Sequence, residues 1–136
     1  MGSPEAFNGI GANVPNGRVP SMYDYQLFTL RLSDRQVTPL TKTFNPGISQ
    51  YAWNHADGKL YFSAMNRDSV SLYYCDTKSK KIVKIHQPEE VVKRMSFAHS
   101  APIMAWTGES ASNADRVYTM NPVSYTHLTL PTILLV

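Results

Sequence analysis

Three stretches of this chain recur at one spacing, and that periodicity restricts the fold more than any single residue does. Leu27-Phe28-Thr29-Leu30-Arg31 is followed by a polar turn, Ser33-Asp34-Arg35, and then by Val37, Pro39 and Leu40. Leu72-Tyr73-Tyr74-Cys75-Asp76 begins 45 residues later and is followed, without a gap, by Lys78-Ser79-Lys80 and then Ile82 and Ile85. A third start, Val117-Tyr118-Thr119-Met120-Asn121, lies 45 residues further on. A repeat of this length fits the four-stranded blade of a β-propeller, a module that cannot bury both of its faces alone and therefore stacks. The expected fold is all-β: a partial β-propeller of about two to three four-stranded antiparallel blades.

The middle unit displays all four expected strands. Ile48–Asn54 forms the inner strand, with Tyr51 and Trp53 on one face, and His55-Ala56-Asp57-Gly58 supplies the hairpin turn, since glycine takes a positive φ without steric cost. Lys59–Met65 is the second strand, with Leu60 and Phe62 opposite Tyr61 and Ser63. Val70–Asp76 and Lys81–His86 are the third and fourth. The outermost strand carries edge protection, with Lys81 and Lys84 here and Pro39 at the matching position one unit earlier. In the preceding unit Tyr25–Leu32 and Gln36–Thr41 read as third and fourth strands, and the first two are missing or poorly represented. In the following unit Val92–Ala98, Pro102–Thr107 and Arg116–Asn121 read as the first three. The blade pieces are thus 25–41, 48–86 and 92–121.

The two ends are different material. Residues 1–24 are punctuated by Gly2, Pro4, Gly9, Gly11, Pro15, Gly17 and Pro20, which breaks helices and strands alike, so this segment reads as an extended arm or connection. Residues 123–132 are the translation of GTC TCT TAT ACA CAT CTG ACG CTG CCG ACG, which resembles the mosaic end and adapter of transposase-based sequencing libraries. Residues 123–136 are accordingly expected to be a non-native tail, and residues 25–122 the genuine partial propeller.

Composition limits the function classes. With 43% hydrophobic residues the chain can bury a core. A net charge of +3 without any run of five like charges gives no argument for nucleic acid. Cys75 is the single cysteine, which excludes an internal disulfide and a cysteine-based zinc cluster. No apolar run approaches the roughly 18 residues that span a bilayer, so no membrane partner is expected. His55, His86 and His99 each stand alone, without a second ligand at a recurrent spacing, and read as surface or turn residues. Cys75 replaces Leu30 and Met120 in the repeat and reads as a small buried hydrophobe. Lys78, Lys80, Lys81 and Lys84 form the densest basic patch and read as a solvated edge. Trp53, Trp106 and the tyrosines read chiefly as blade-packing residues. No Gly-x-Ser-x-Gly elbow occurs, so no catalytic residue, cofactor or metal is assigned.

Tyr51-Ala52-Trp53-Asn54-His55-Ala56-Asp57-Gly58-Lys59-Leu60-Tyr61-Phe62 resembles the W-S-x-D-G-K-x-I-x-F start of a blade in the propeller of S9-family serine peptidases, the prolyl oligopeptidase and dipeptidyl peptidase IV-like enzymes. Asn54 and His55 stand where Ser and Pro are commoner. Leu72-Tyr73-Tyr74-Cys75-Asp76 is similar to the L-Y-x-x-D that follows, and Gly2–Gly11 with Val19–Asp24 resemble the stretch before such a blade. The blade motifs are shared with TolB-like propellers. The resemblance implies a noncatalytic propeller that caps an α/β-hydrolase domain, absent here, and admits short peptide substrates by size. It also implies export, periplasmic or secreted. Propellers of the dipeptidyl peptidase IV type hold a substrate amine with paired glutamates. Glu89-Glu90 is the one adjacent pair here, but it lacks that motif's aromatic lead-in, follows Pro88 and reads as a solvated interblade turn.

Overall fold

The computed structural model describes residues 1–4, 6–11, 25–122 and 124, and the backbone of 126–128. Ten strands follow one another: β1 (Phe28–Leu30), β2 (Val37–Pro39), β3 (Gly47–Asn54), β4 (Lys59–Asn66), β5 (Ser69–Cys75), β6 (Ile82–Lys84), β7 (Val91–Phe97), β8 (Met104–Ser110), β9 (Asn113–Asn121) and β10 (Thr126–Leu128). Each lies within one to three residues of its expected bounds, apart from β10. The one helical element is the turn Ala6–Gly9, in which Phe7 and Asn8 take positive φ (55° and 62°), so it is not a regular right-handed helix.

Antiparallel pairing in the order β3, β4, β5, β6 makes a complete blade, and β7, β8, β9, β10 make a second. The hairpin β1–β2 stands apart as a two-stranded sheet, the outer half of an earlier blade. The strand-three to strand-four register repeats at the 45-residue phase: Leu30 faces Val37, Cys75 faces Ile82 and Met120 faces His127. The inner hairpins repeat at 44 instead, since Trp53 faces Leu60 and Phe97 faces Met104. A bulge between Gly108 and Ser110 in the β8–β9 ladder inserts the residue that restores 45. Both inner strands carry a bulge near their start, between Ile48 and Gln50 and between Val92 and Arg94.

The β3–β4 turn forms as its sequence demands. Gly58 sits at φ 69° and donates its N–H to the Asn54 carbonyl at 2.9 Å. The Asn54 and Asp57 side chains accept from the amides of Ala56 and Lys59, the local bonding for which Asx residues are favoured in turns.

Two apolar layers lie between the three units. Leu27 and Leu40 of the first hairpin pack on Ile48, Leu60, Phe62, Tyr73 and Cys75. Tyr61, Val70, Leu72 and Ile85 pack on Val92, Met104, Trp106 and Met120. The positions correspond: Leu27 and Leu40 do for the first interface what Leu72 and Ile85 do for the second. Polar contacts repeat beside them. The Leu27 amide donates to Thr41 Oγ1 at 2.9 Å, and the Leu72 amide donates to Gln87 Oε1 at 2.7 Å. Near the inner edge, Gln50 bridges two blades by donating to the Lys93 carbonyl and accepting from the Met95 amide, at 2.9 and 3.2 Å.

One expectation is corrected. Tyr51 and Trp53 are not packed between blades but are 53% and 42% exposed, because no inner strand of an earlier blade covers them among the described residues. Leu30 and Val117, repeat mates of buried Cys75 and Leu72, are likewise exposed at the two open faces. The backbone of Thr126–Leu128, inside the segment read as a non-native tail, pairs with β9 in the fourth-strand place. A free strand edge with unpaired N–H and C=O groups accepts an extended segment whatever its origin. The rest of the tail assignment, and most of the arm from residue 12 to 24, lies outside the described residues.

Candidate functional site: a buried glutamate between two blades

The connection from β6 to β7 turns over the junction of the two complete blades, and Gln87 shapes it. Its side chain accepts from the Leu72 amide and donates to the carbonyls of Val70 (3.1 Å) and Glu89 (2.8 Å). The Val70 amide then donates to the Glu90 carbonyl at 2.9 Å. Held at both ends, the loop turns Glu89 inward while Glu90 stays exposed. Glu89 is only 6% exposed, so the expected solvated turn holds for Glu90 and fails for Glu89.

Inside, Glu89 Oε2 accepts a hydrogen bond from Trp106 Nε1 at 3.2 Å. The Trp106 ring stacks on Tyr118, with centroids 5.7 Å apart and planes 18° from parallel. Burial first, and then the Glu89 carboxylate, push the Tyr118 hydroxyl above its ordinary pKa. Gly108 leaves the space. A Cβ there would lie 2.9 Å from Glu89 Cγ and 3.1 Å from Oε2, so an alanine would displace the acid. Glu89 Oε1 is buried without a hydrogen-bond partner among the described atoms. The signal for this arrangement lay in Trp106 and Gly108 together: a core tryptophan needs an acceptor for its N–H, and a glycine two residues along the same strand face makes room for one.

A groove of about 480 Å³ opens beside the loop, lined by Ser69, Ser71, Lys84, His86, Gln87 and Glu90 among others. Its polar, mixed-charge lining can offer hydrogen bonds to a polar ligand. Within it Ser69 Oγ donates to the Asn66 carbonyl, and burial raises the thiol pKa of Cys75, which lies elsewhere in the core. The other residues singled out from sequence are dispersed. His55, His86 and His99 are exposed on separate connections, and Lys78, Lys80, Lys81 and Lys84 are exposed on the β5–β6 connection and the end of β6. No group of three or more His, Cys, Asp or Glu that could hold a metal ion occurs among the described residues.

No family model and no curated protein matches this sequence. Solved structures do match in shape. An oligogalacturonate lyase in complex with manganese superposes with a TM-score of 0.58 and 11% identity, over 77% of this chain and 28% of the lyase. TolB from Acinetobacter baumannii superposes with a TM-score of 0.60 and 16% identity, over 79% of this chain and 27% of TolB. The chain therefore spans just over a quarter of the length of either structure. Both neighbours are β-propellers, and at these identities the likeness speaks for the fold alone. With the repeat register and the interblade cores, it makes this chain a partial β-propeller.

Proposed function

We propose that the chain is a noncatalytic section of a larger propeller that screens short peptides on their way to an α/β-hydrolase domain, in a serine peptidase of the S9 type. The observation that carries this reading is the match between motif and architecture. The Trp53 to Phe62 motif of that family falls on the inner hairpin of a complete blade, with Asp57-Gly58 in its turn, and Leu72–Asp76 falls on the third strand. In this reading the section hydrolyses nothing, and its parent cleaves peptides by acyl transfer through a Ser-His-Asp triad encoded downstream.

The likeness to TolB favours a second reading, a binding or scaffold propeller with no enzyme attached. The parent reading frame past Pro122 separates the two. A Gly-x-Ser-x-Gly elbow in an α/β-hydrolase domain, with peptidase activity in the extended protein that a serine-directed inhibitor abolishes, supports the peptidase. A closing blade followed by a stop, with no such activity, supports the scaffold. Inhibitor-sensitive hydrolysis by the 136-residue chain alone would refute the assignment of catalysis to another domain.

A further inference from the structure

The blade built from β3 to β6 gathers charge at one end, although the sequence holds no run of like charges. Strands β3 and β5 run toward that end while β4 and β6 lead away from it, so the β3–β4 and β5–β6 connections lie there together. Lys59, Lys78, Lys80 and Lys81 stand there against Asp57 and Asp76. At the other end Lys42, Arg67 and Lys84 stand against Asp68, Glu89 and Glu90, an even balance. Both aspartates of the basic end are engaged by the fold. Asp57 accepts from the Lys59 amide and the Tyr61 hydroxyl at 2.9 and 2.6 Å. Asp76 accepts from the amides of Lys78 and Ser79, and these bonds, that of Lys78 first, hold its pKa below the ordinary value. Lys59 lies over the Tyr74 ring at 4.6 Å. Lys78, Lys80 and Lys81 are exposed and form no ion pair among the described residues. The loop that carries them is fixed: the Lys80 amide donates to the Asp76 carbonyl at 2.7 Å, and the Asp76 amide donates to the Lys81 carbonyl at 3.1 Å. Lys80 takes φ 58°, a left-handed conformation that glycine adopts without strain, and Arg35, its repeat mate 45 residues earlier, takes the same φ. Two units thus hold a cation where a neutral glycine would be unstrained.

We infer that the β5–β6 connection is a docking surface for an acidic segment of another protein, whose aspartate and glutamate side chains meet Lys78, Lys80 and Lys81. The partner is acidic because this end projects unpaired ammonium groups while its own carboxylates are turned to the blade. It is a polypeptide rather than a nucleic acid or a bilayer because Thr77-Lys78-Ser79-Lys80 offers no aromatic ring for a base to stack on and no apolar side chain to enter lipid. Lysine suits such a partner. A point charge on a flexible stem meets carboxylates at varied spacing, whereas bidentate recognition of phosphate favours the planar fork of arginine. This inference rests on the charge and turn geometry of one blade and not on the peptidase reading, so it stands or falls whether or not a hydrolase domain follows.

The probe is a fluorescein-labelled peptide of alternating aspartate and glutamate, titrated with the full chain at about 50 mM salt and read by anisotropy. Saturable binding is expected, and it should be lost as salt rises to about 0.5 M. Lys78→Gln, Lys80→Gln and Lys81→Gln should each weaken it by about two- to fivefold, and the triple variant by about tenfold or more. Lys80→Gly should weaken binding as Lys80→Gln does while holding or raising the thermal midpoint, which separates contact with the partner from support of the loop. Arg67→Gln, at a basic residue of positive φ on the opposite end, should leave affinity unchanged. Duplex DNA and vesicles containing phosphatidylserine should bind more weakly than the peptide at the same salt. Far-UV circular dichroism confirms that the variants are folded. Absence of saturable binding, equal binding by the folded triple variant, an equal loss in R67Q, or tighter binding of duplex or vesicle than of peptide would overturn the inference.

Discussion

The interior of the stack and its two open faces hold the same repeat positions in opposite environments. Cys75 and Met120 are completely buried, while Leu30 at the same repeat position is 55% exposed. Leu72 is completely buried, and Val117 is 50% exposed. Side-chain type does not explain this, since all are apolar. What differs is whether another blade stands against the face. In a stacked repeat, stability resides at interfaces between units, so a residue's energetic weight follows from its neighbour as much as from its own chemistry.

The largest contrast should come from the two tryptophans. Trp106 is 2% exposed, stacks on Tyr118 and donates to Glu89. Trp106→Ala should cost about 3–5 kcal/mol, from lost packing and a cavity, with a buried acid left unpartnered besides. Trp53→Ala, at an open face, should stay within about 1 kcal/mol. Urea denaturation of both variants measures the gap. Equal losses would mean that the open face is already covered in solution.

Leu72→Ala against Val117→Ala tests the same idea with one residue class. The first should cost about 2–5 kcal/mol and the second about 0.5 or less. A loss at Val117 rivalling that at Leu72 would show that the far face is occupied.

The strands were legible from sequence and several of these environments were not, for physical reasons. Strand bounds follow from local alternation and turn chemistry, which is why Asp57-Gly58 and the alternation of Leu60, Tyr61 and Phe62 place the β3–β4 hairpin correctly. Exposure at Tyr51, Trp53, Leu30 and Val117 depends on a neighbouring blade, about which the residue's own segment carries no information. Glu89 was hidden differently. Glutamate after proline in a connecting loop has the composition of a solvated turn. Its inward course is set by Gln87, Trp106 and Gly108, two of them on a strand that is distant in sequence.

Smaller effects should appear where a side chain stands in for the backbone. Thr41 and Gln87 each satisfy an amide at equivalent repeat positions of the third strands, Leu27 and Leu72 respectively. Thr41→Val should cost about 1–3 kcal/mol, because it leaves a buried donor unpaired with little change of volume. Gln87→Leu should cost at least as much, since it also strips donors from the carbonyls of Val70 and Glu89. Amide hydrogen exchange at Leu27 and Leu72 reports each loss locally, and protection there that survives substitution would show that another acceptor takes over.

The smallest effect concerns charge on the open side of the last blade. Lys93 Nζ lies 2.9 Å from carboxylate oxygens of both Glu109 and Asp115, and all three side chains are substantially exposed. Asp115 lies 45 residues after buried Val70, so where the interior repeat uses an apolar contact this face uses a screened ion cluster. Asp115 first, then Glu109, raises the Lys93 pKa above its ordinary value, and Lys93 lowers that of Asp115. The lowered carboxyl contributes stability above its unfolded pKa, and this is lost as pH falls through the folded one. The raised ammonium contributes below its unfolded pKa, and this is lost as pH rises through the folded one. Lys93→Met should therefore lower the melting temperature slightly across neutral pH, with the difference vanishing at both extremes and in about 1 M salt, as expected for exposed pairs. A difference that persists in acid and in high salt would assign the effect to the packing of the lysine stem. The open face would then depend on apolar contact, as the interior does.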